Sequence, residues 1–239
     1  MMEQERAHSS EAIETVAFDV EGTLTTGTVW EGVRDYLAAE GEKSRYGRFQ
    51  RRMLPRYLLF RLNLGNTQGF KEKWVAGILR LLAGRSRAEI DELAARITEE
   101  QLWPQRREEV LAELNAHKAA GRRVLLVSGQ FQPFLEAFVV RVGADAGIGT
   151  PGMWQGDRFS GELAAPFTVG DRKAELLAEQ LDGRLLYAAY GDSGTDGPLL
   201  AMSERPTAVY PDETLRRSAY KHGWRIIAPK EGGSEGAEN

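Results

Sequence analysis

Thr15-Val16-Ala17-Phe18-Asp19-Val20-Glu21-Gly22-Thr23-Leu24 is the stretch on which the reading of this chain turns. Its first four residues are short, apolar and partly β-branched, which predicts a buried strand, and Gly22 supplies the backbone freedom for an abrupt turn beyond it. On an extended segment Asp19 and Glu21, two residues apart, aim their carboxylates toward one side. One acid can then attack while the other handles protons. A carboxylate is an adequate nucleophile toward phosphorus once a cation neutralises the charge between the two anions, and the acyl-phosphate that results is easily hydrolysed. From these residues alone, an acidic turn closing a strand reads equally well.

Working outward, residues 30–117 have a helical pattern throughout and no convincing strand, enough for four or five helices punctuated by Gly65 and Gly84. Ser86-Arg87-Ala88-Glu89 forms a capping box ahead of Ile90, Leu93, Ala94 and Ile97, which share one helix face. After Gly121 the character changes. Val124-Leu125-Leu126-Val127 suits a strand buried on both faces, and further strands are expected at 146–150, around 159–163, and at 185–190, 207–210 and 225–228. Helical patterns at 131–142, 171–181 and 212–222 lie among them. Strands alternating with helices indicate an α/β fold with a doubly wound, mainly parallel sheet and an all-helical insertion. The expected division is a core of residues 14–29 and 118–229, a helical cap of residues 30–117, and flexible tails at 1–13 and 230–239.

In such sheets ligands bind at the carboxyl ends of the strands. Three predicted strands end in Asp19, Ser128 and Asp192, so three separate strand ends agree on reactive or phosphate-binding residue types. Ser128 and Gly129 offer a hydroxyl and a free backbone N–H before a helix, which suits a phosphate oxygen. Lys173 stands in the first turn of a predicted helix; alone, it reads first as a solvated surface cation. Tyr190-Gly191-Asp192-Ser193-Gly194-Thr195-Asp196 places two acids four residues apart in a Gly-rich loop, and such hard oxygen ligands suit Mg²⁺. Gly-Asp-Ser-Gly also occurs around protease nucleophiles, but in an all-β, usually disulfide-bearing fold that this sequence does not fit.

A chain of 239 residues accommodates one sizeable core and a smaller companion. Its formal charge of −4 argues against nucleic acid as a partner, because sequence-independent affinity for nucleic acid needs an excess of Lys and Arg. The absence of cysteine excludes disulfides, thiolate metal sites and cysteine nucleophiles. The polar, acidic first residues carry no apolar signal region, so a soluble cytoplasmic protein is expected. Residues 43–61 hold seven Lys or Arg and no acid, interleaved with aromatic and aliphatic residues. That segment reads either as a cap helix with an apolar stripe or as a surface for anionic lipid.

Taken in order, Asp19, Ser128, Lys173 and the Asp192/Asp196 pair resemble the four motifs of the haloacid dehalogenase superfamily. The long helical insertion after the first motif is similar to the cap of its phosphoserine phosphatase-like branch, subfamily IB. Gly147-Ile148-Gly149-Thr150 and Val209-Tyr210-Pro211-Asp212 also look like that branch. The resemblance implies a Rossmann-like core and hydrolysis of a small phosphorylated metabolite. Asp19 would be the nucleophile and Glu21 the general acid and base. Mg²⁺ would be bound by Asp19, the Glu21 carbonyl and Asp192, with Asp196 nearby; Ser128, Gly129 and Lys173 would hold the phosphoryl group. Two departures stand out. Glu21 occupies a place where Asp is usual, and Thr28 replaces the Glu that in phosphoserine phosphatases binds the serine head group, with no matching Arg evident around Phe70-Lys71-Glu72-Lys73-Trp74. Phosphoserine is therefore not the expected substrate.

Overall fold

The computed structural model describes residues 13–61 and 67–228; the expected tails and Gly65 fall outside them, save for Ile13. In chain order the elements are β1 (Thr15–Phe18), α1 (Val29–Ala39), α2 (Lys43–Arg61), α3 (Thr67–Leu81), α4 (Arg87–Ile97) and α5 (Glu108–Ala119), then β2 (Arg123–Phe131), α6 (Gln132–Val142) and β3 (Ala146–Thr150). There follow β4 (Gly152–Gln155), β5 (Arg158–Leu163), α7 (Asp171–Leu181), β6 (Ala188–Gly191), α8 (Gly197–Ala201), β7 (Pro206–Val209), α9 (Glu213–His222) and β8 (Arg225–Ile227).

Six strands form one parallel sheet in the order β3-β2-β1-β6-β7-β8, while β4 and β5 pair separately as an antiparallel hairpin. With the hairpin set aside, this is the doubly wound order 3-2-1-4-5-6, whose direction reverses between β1 and β6. Side chains alternate along each strand and both faces are covered, which explains the continuous apolar runs. Val16, Phe18, Val124 and Leu126 belong to one buried cluster with α5 and α6. Ala17, Leu125, Val127 and Ala189 belong to another with α7, α8 and α9.

Five α-helices occupy the predicted insertion among the described residues, joined by a π-helical turn at Thr98–Leu102 and a 3₁₀ turn at Trp103–Gln105. The capping box at Ser86 is formed, and Ile90, Leu93, Ala94 and Ile97 are all buried. The insertion does not keep a core to itself: Ile90, Leu93 and Leu102 continue the cluster that contains Val16 and Phe18. α4 packs on α6, and α5 on β2, while α1, α2 and α3 stand together further out. The β4–β5 hairpin reaches the same block, where Gly84 and Arg85 exchange backbone hydrogen bonds with Phe159. Within basic α2, Tyr46 and Met53 face inward. No described helix is long and apolar enough to cross a membrane.

Two expected strand boundaries shift for physical reasons. β6 starts at Ala188 instead of Leu185, because the chain first meets β1 where Ala188 pairs with Val16, and Leu185 stays exposed. β2 runs on to Phe131 instead of ending at Ser128. Its pairing with β3 jumps from Val127↔Ile148 to Phe131↔Thr150, so Ser128, Gly129 and Gln130 form a bulge. A bulge re-aims the side chains it carries, and this one lies at the carboxyl edge of the sheet beside Asp19.

Candidate active site

β1 ends directly into Asp19, whose N–H donates to the Tyr190 carbonyl of β6 at 2.9 Å, so the carboxyl ends of the two central strands are held level. The chain then turns tightly: Leu24 N–H donates to the Val20 carbonyl and Gly22 N–H to the Thr25 carbonyl. Gly22 has φ +93°, and a Cβ on it would lie 2.2 Å from a carboxylate oxygen of Asp192. Only glycine admits both the turn and that close approach.

Lys173 enters from the first turn of α7 and is buried. Its Nζ lies 2.6 Å from Asp19 Oδ1 and 2.7 Å from Asp196 Oδ1. Thr23 Oγ1 donates to the other Asp19 oxygen at 3.0 Å. Asp196 turns its second oxygen to the Ser193 N–H at 3.1 Å and the Ser193 hydroxyl at 2.9 Å, which fixes the loop after β6. Two buried threonines tie the approach to α7 to the β2 bulge. Thr150 Oγ1 donates to the Gly129 carbonyl at 3.0 Å and accepts from Thr168 N–H at 3.1 Å.

Glu21 leaves this cluster at an angle. Its Oε1 accepts from the Val29 N–H at the start of α1 and from Gln130 Nε2 in the bulge, each at 3.0 Å. Burial raises its pKa against the pull of those two donors.

Asp19, Asp192 and Asp196 bring carboxylate oxygens within 4.8 Å of one another, and among the described residues Lys173 is the one cation lining the cavity they share. Fully ionised, the group would carry a surplus of negative charge. Burial raises Asp19 to about 6, with Lys173 opposing and Asp196 adding to the rise. Burial and the two neighbouring carboxylates push Asp192 up to about 8. Desolvation opposes the charged form of Lys173 as well, yet its two carboxylate partners outweigh that and raise its pKa. Three oxygen donors with a net charge deficit suit a hard divalent cation.

All seven residues singled out in the sequence line one cavity of about 480 Å³: Asp19, Glu21, Ser128, Gly129, Lys173, Asp192 and Asp196. Sequence reasoning missed the partners that hold them. Thr23 and Gln130 are ordinary turn and strand residues by type; the available signal was position, Gln130 lying two residues beyond Ser128 on the same extended segment.

A family model for haloacid dehalogenase-like hydrolases matches residues 16–201. The chain belongs to that family. Among its relatives, an "inhibition of morphological differentiation protein" of Streptomyces azureus is 33% identical over 163 residues, 65% of this chain and 58% of that protein. A probable phosphatase of Mycobacterium tuberculosis is 31% identical over 117 residues, 47% of this chain and 40% of its own length. The chain thus spans about half the length of the curated relatives it matches. Of solved structures, a protein of unknown function from Bordetella pertussis superposes with TM-score 0.75 at 22% identity, covering 91% of this chain and 99% of the other. A substrate-bound phosphoserine phosphatase superposes with TM-score 0.60 at 15% identity, covering 91% and 93%. These two likenesses are likenesses of fold.

The acid cluster sets a pH signature. Asp19 and Asp192 keep protons in the folded chain at pH values where the unfolded chain, with carboxylates near 3.8, has lost them. A native state that binds more protons loses stability as pH rises. In EDTA the melting temperature should fall from about pH 7 to about pH 8.5, above the range where ordinary carboxylates and histidine titrate. Asp192→Asn should remove most of that fall. A wild-type melting temperature that stays level across this interval in scanning calorimetry contradicts the assignment.

Proposed function

We propose that this protein hydrolyses a small phosphate monoester by way of a phosphoryl group carried on Asp19. The observation that supports this most is the placement of one buried carboxylate, Asp19, against a buried ammonium, Lys173, on the floor of a cavity that Ser128 and Gly129 also line. An Asp19 oxygen would attack phosphorus while the bond from phosphorus to the alcohol oxygen breaks. Glu21 would deliver its proton to that departing oxygen. Water would then attack the acyl-phosphate, giving its proton back to Glu21 and releasing inorganic phosphate and the Asp19 carboxylate. The raised pKa of Glu21 favours the protonated form that the first step needs.

Ser128, the Gly129 N–H and Lys173 would hold the phosphoryl oxygens, since positioning and charge neutralisation supply most of the rate in phosphoryl transfer. The Asp19 and Asp192 carboxylates and the Glu21 backbone carbonyl would hold Mg²⁺, with Asp196 behind them fixing Lys173. When bound, Mg²⁺ supplies charge neutralisation between the phosphate and the carboxylates. The helical block of residues 30–117 would act as the cap over this floor. The names of the relatives are consistent with this reading: one is a probable phosphatase and another a phosphoserine phosphatase, both of Mycobacterium tuberculosis.

Hydrolysis of p-nitrophenyl phosphate should require Mg²⁺ and should fall by several orders of magnitude in Asp19→Asn, because an acting unit loses its nucleophile. Turnover that persists undiminished in EDTA, or in the Asn variant, contradicts the proposal. Glu21→Ala should slow single-turnover phosphate release by about 10² to 10⁴, the usual worth of a positioned acid–base group, while Glu21→Asp keeps substantial activity. Equal release by wild type and Glu21→Ala would remove Glu21 from the acid–base role.

A further inference from the structure

Above its charged floor the cavity changes character. Helices α1 and α3 contribute Trp30, Val33, Val75, Ile78 and Leu79, and among the described residues Glu72 is the one ionisable side chain they add. Phe131 and Phe134, from the end of β2 and the start of α6, continue the apolar surface sideways, and both are buried. At the remaining edge Asp212 is already engaged, accepting from the N–H groups of Leu215 and Gly194. Lys173, the one cation among the described lining residues, is held by Asp19 and Asp196. Thr28, which precedes α1, carries no charge.

We infer that the alcohol half of the ester is apolar: an alkyl or aryl phosphate whose hydrocarbon lies between α1, α3 and the Phe131–Phe134 edge while its phosphate sits on the Asp19 floor. This rests on the phosphatase reading and adds to it the class of substrate. The physical ground is a comparison of costs. A leaving group that carries a carboxylate would meet the apolar side chains of Trp30, Val33, Val75, Ile78 and Leu79 and, among the described lining residues, no cation besides the already paired Lys173, and burying an unpaired ion is among the costliest of transfers. A hydrocarbon loses nothing there and removes apolar surface from water on both sides. Space is sufficient: with about 30 Å³ for each water, a 480 Å³ cavity holds roughly 16 waters, far more than a phosphate group displaces. Pockets that bury most of a ligand are commonly of about this size, apolar in the main with a few placed polar groups.

The test uses the full chain with Mg²⁺. Dissociation constants are measured by calorimetry for methyl-, butyl- and octylphosphonate, which cannot be hydrolysed, and for 2-aminoethylphosphonate and 2-amino-4-phosphonobutyrate as polar comparators. In parallel, kcat/KM is measured for methyl, butyl and octyl phosphate, with acetyl phosphate as a small activated acyl phosphate. Affinity should tighten about fourfold per methylene until the cavity is filled, and kcat/KM should climb with it. Val75→Asp should collapse the octyl-to-methyl ratio in both series. A flat or falling series, or tightest binding by either polar comparator, overturns the inference. Graded phosphonate binding with no turnover of any ester or of acetyl phosphate upholds the apolar site and sinks the phosphatase reading. Turnover with a flat series does the reverse.

Discussion

An ammonium group buried between two carboxylates ties three distant parts of this chain to one point, for Lys173 of α7 meets Asp19 after β1 and Asp196 after β6. Desolvating such ions costs several kcal/mol each, and their mutual attraction recovers that only when the geometry is good and the remaining hydrogen bonds are made. Here they are made: Thr23 serves the second oxygen of Asp19 and Ser193 that of Asp196. The two apolar clusters on the faces of the sheet carry the stability of the fold, and the ionic centre fixes where its loops converge. Asp192 is the member left in deficit, crowded by two acids and pushed up to about 8, and the three carboxylates together could hold a cation.

The rest of the floor follows from that centre through short-range devices. The β2 bulge brings Ser128, Gly129 and Gln130 to the edge of the sheet beside Asp19, and Thr150 and Thr168 brace it against the segment leading into α7. Glu21 links the floor to the helical block, since one of its oxygens takes donors from both the bulge and the first turn of α1. A movement of α1 would thus be felt by Glu21, the proposed acid–base residue, before it reached Asp19.

Much of this was legible in the sequence, because the deciding signals are local. A β-type run ending at Asp19, the Ser86 capping box and strands alternating with helices each depend on a few neighbouring residues, and the order of the four motifs did the rest. What was not legible depends on register. Whether β6 begins at Leu185 or Ala188 is settled by where it meets β1, and the bulge in β2 by its pairing with β3. Lys173 alone read first as a surface cation, and the two carboxylates that partner it in the core lie 154 and 23 residues away. The block of residues 30–117 was legible as helices; that its Ile90 and Leu93 would share a core with Val16 is a matter of tertiary packing, which periodicity does not encode.

The central claim is that a phosphoryl group passes through Asp19, and it is tested most directly by rapid-quench mass spectrometry of the protein during turnover of a phosphate ester. The account predicts a transient phosphoryl adduct that maps to the peptide containing Asp19, forms before inorganic phosphate appears, and is absent from Asp19→Asn. Phosphate release at full rate with no adduct on the protein, or with the adduct on a different residue, would contradict it.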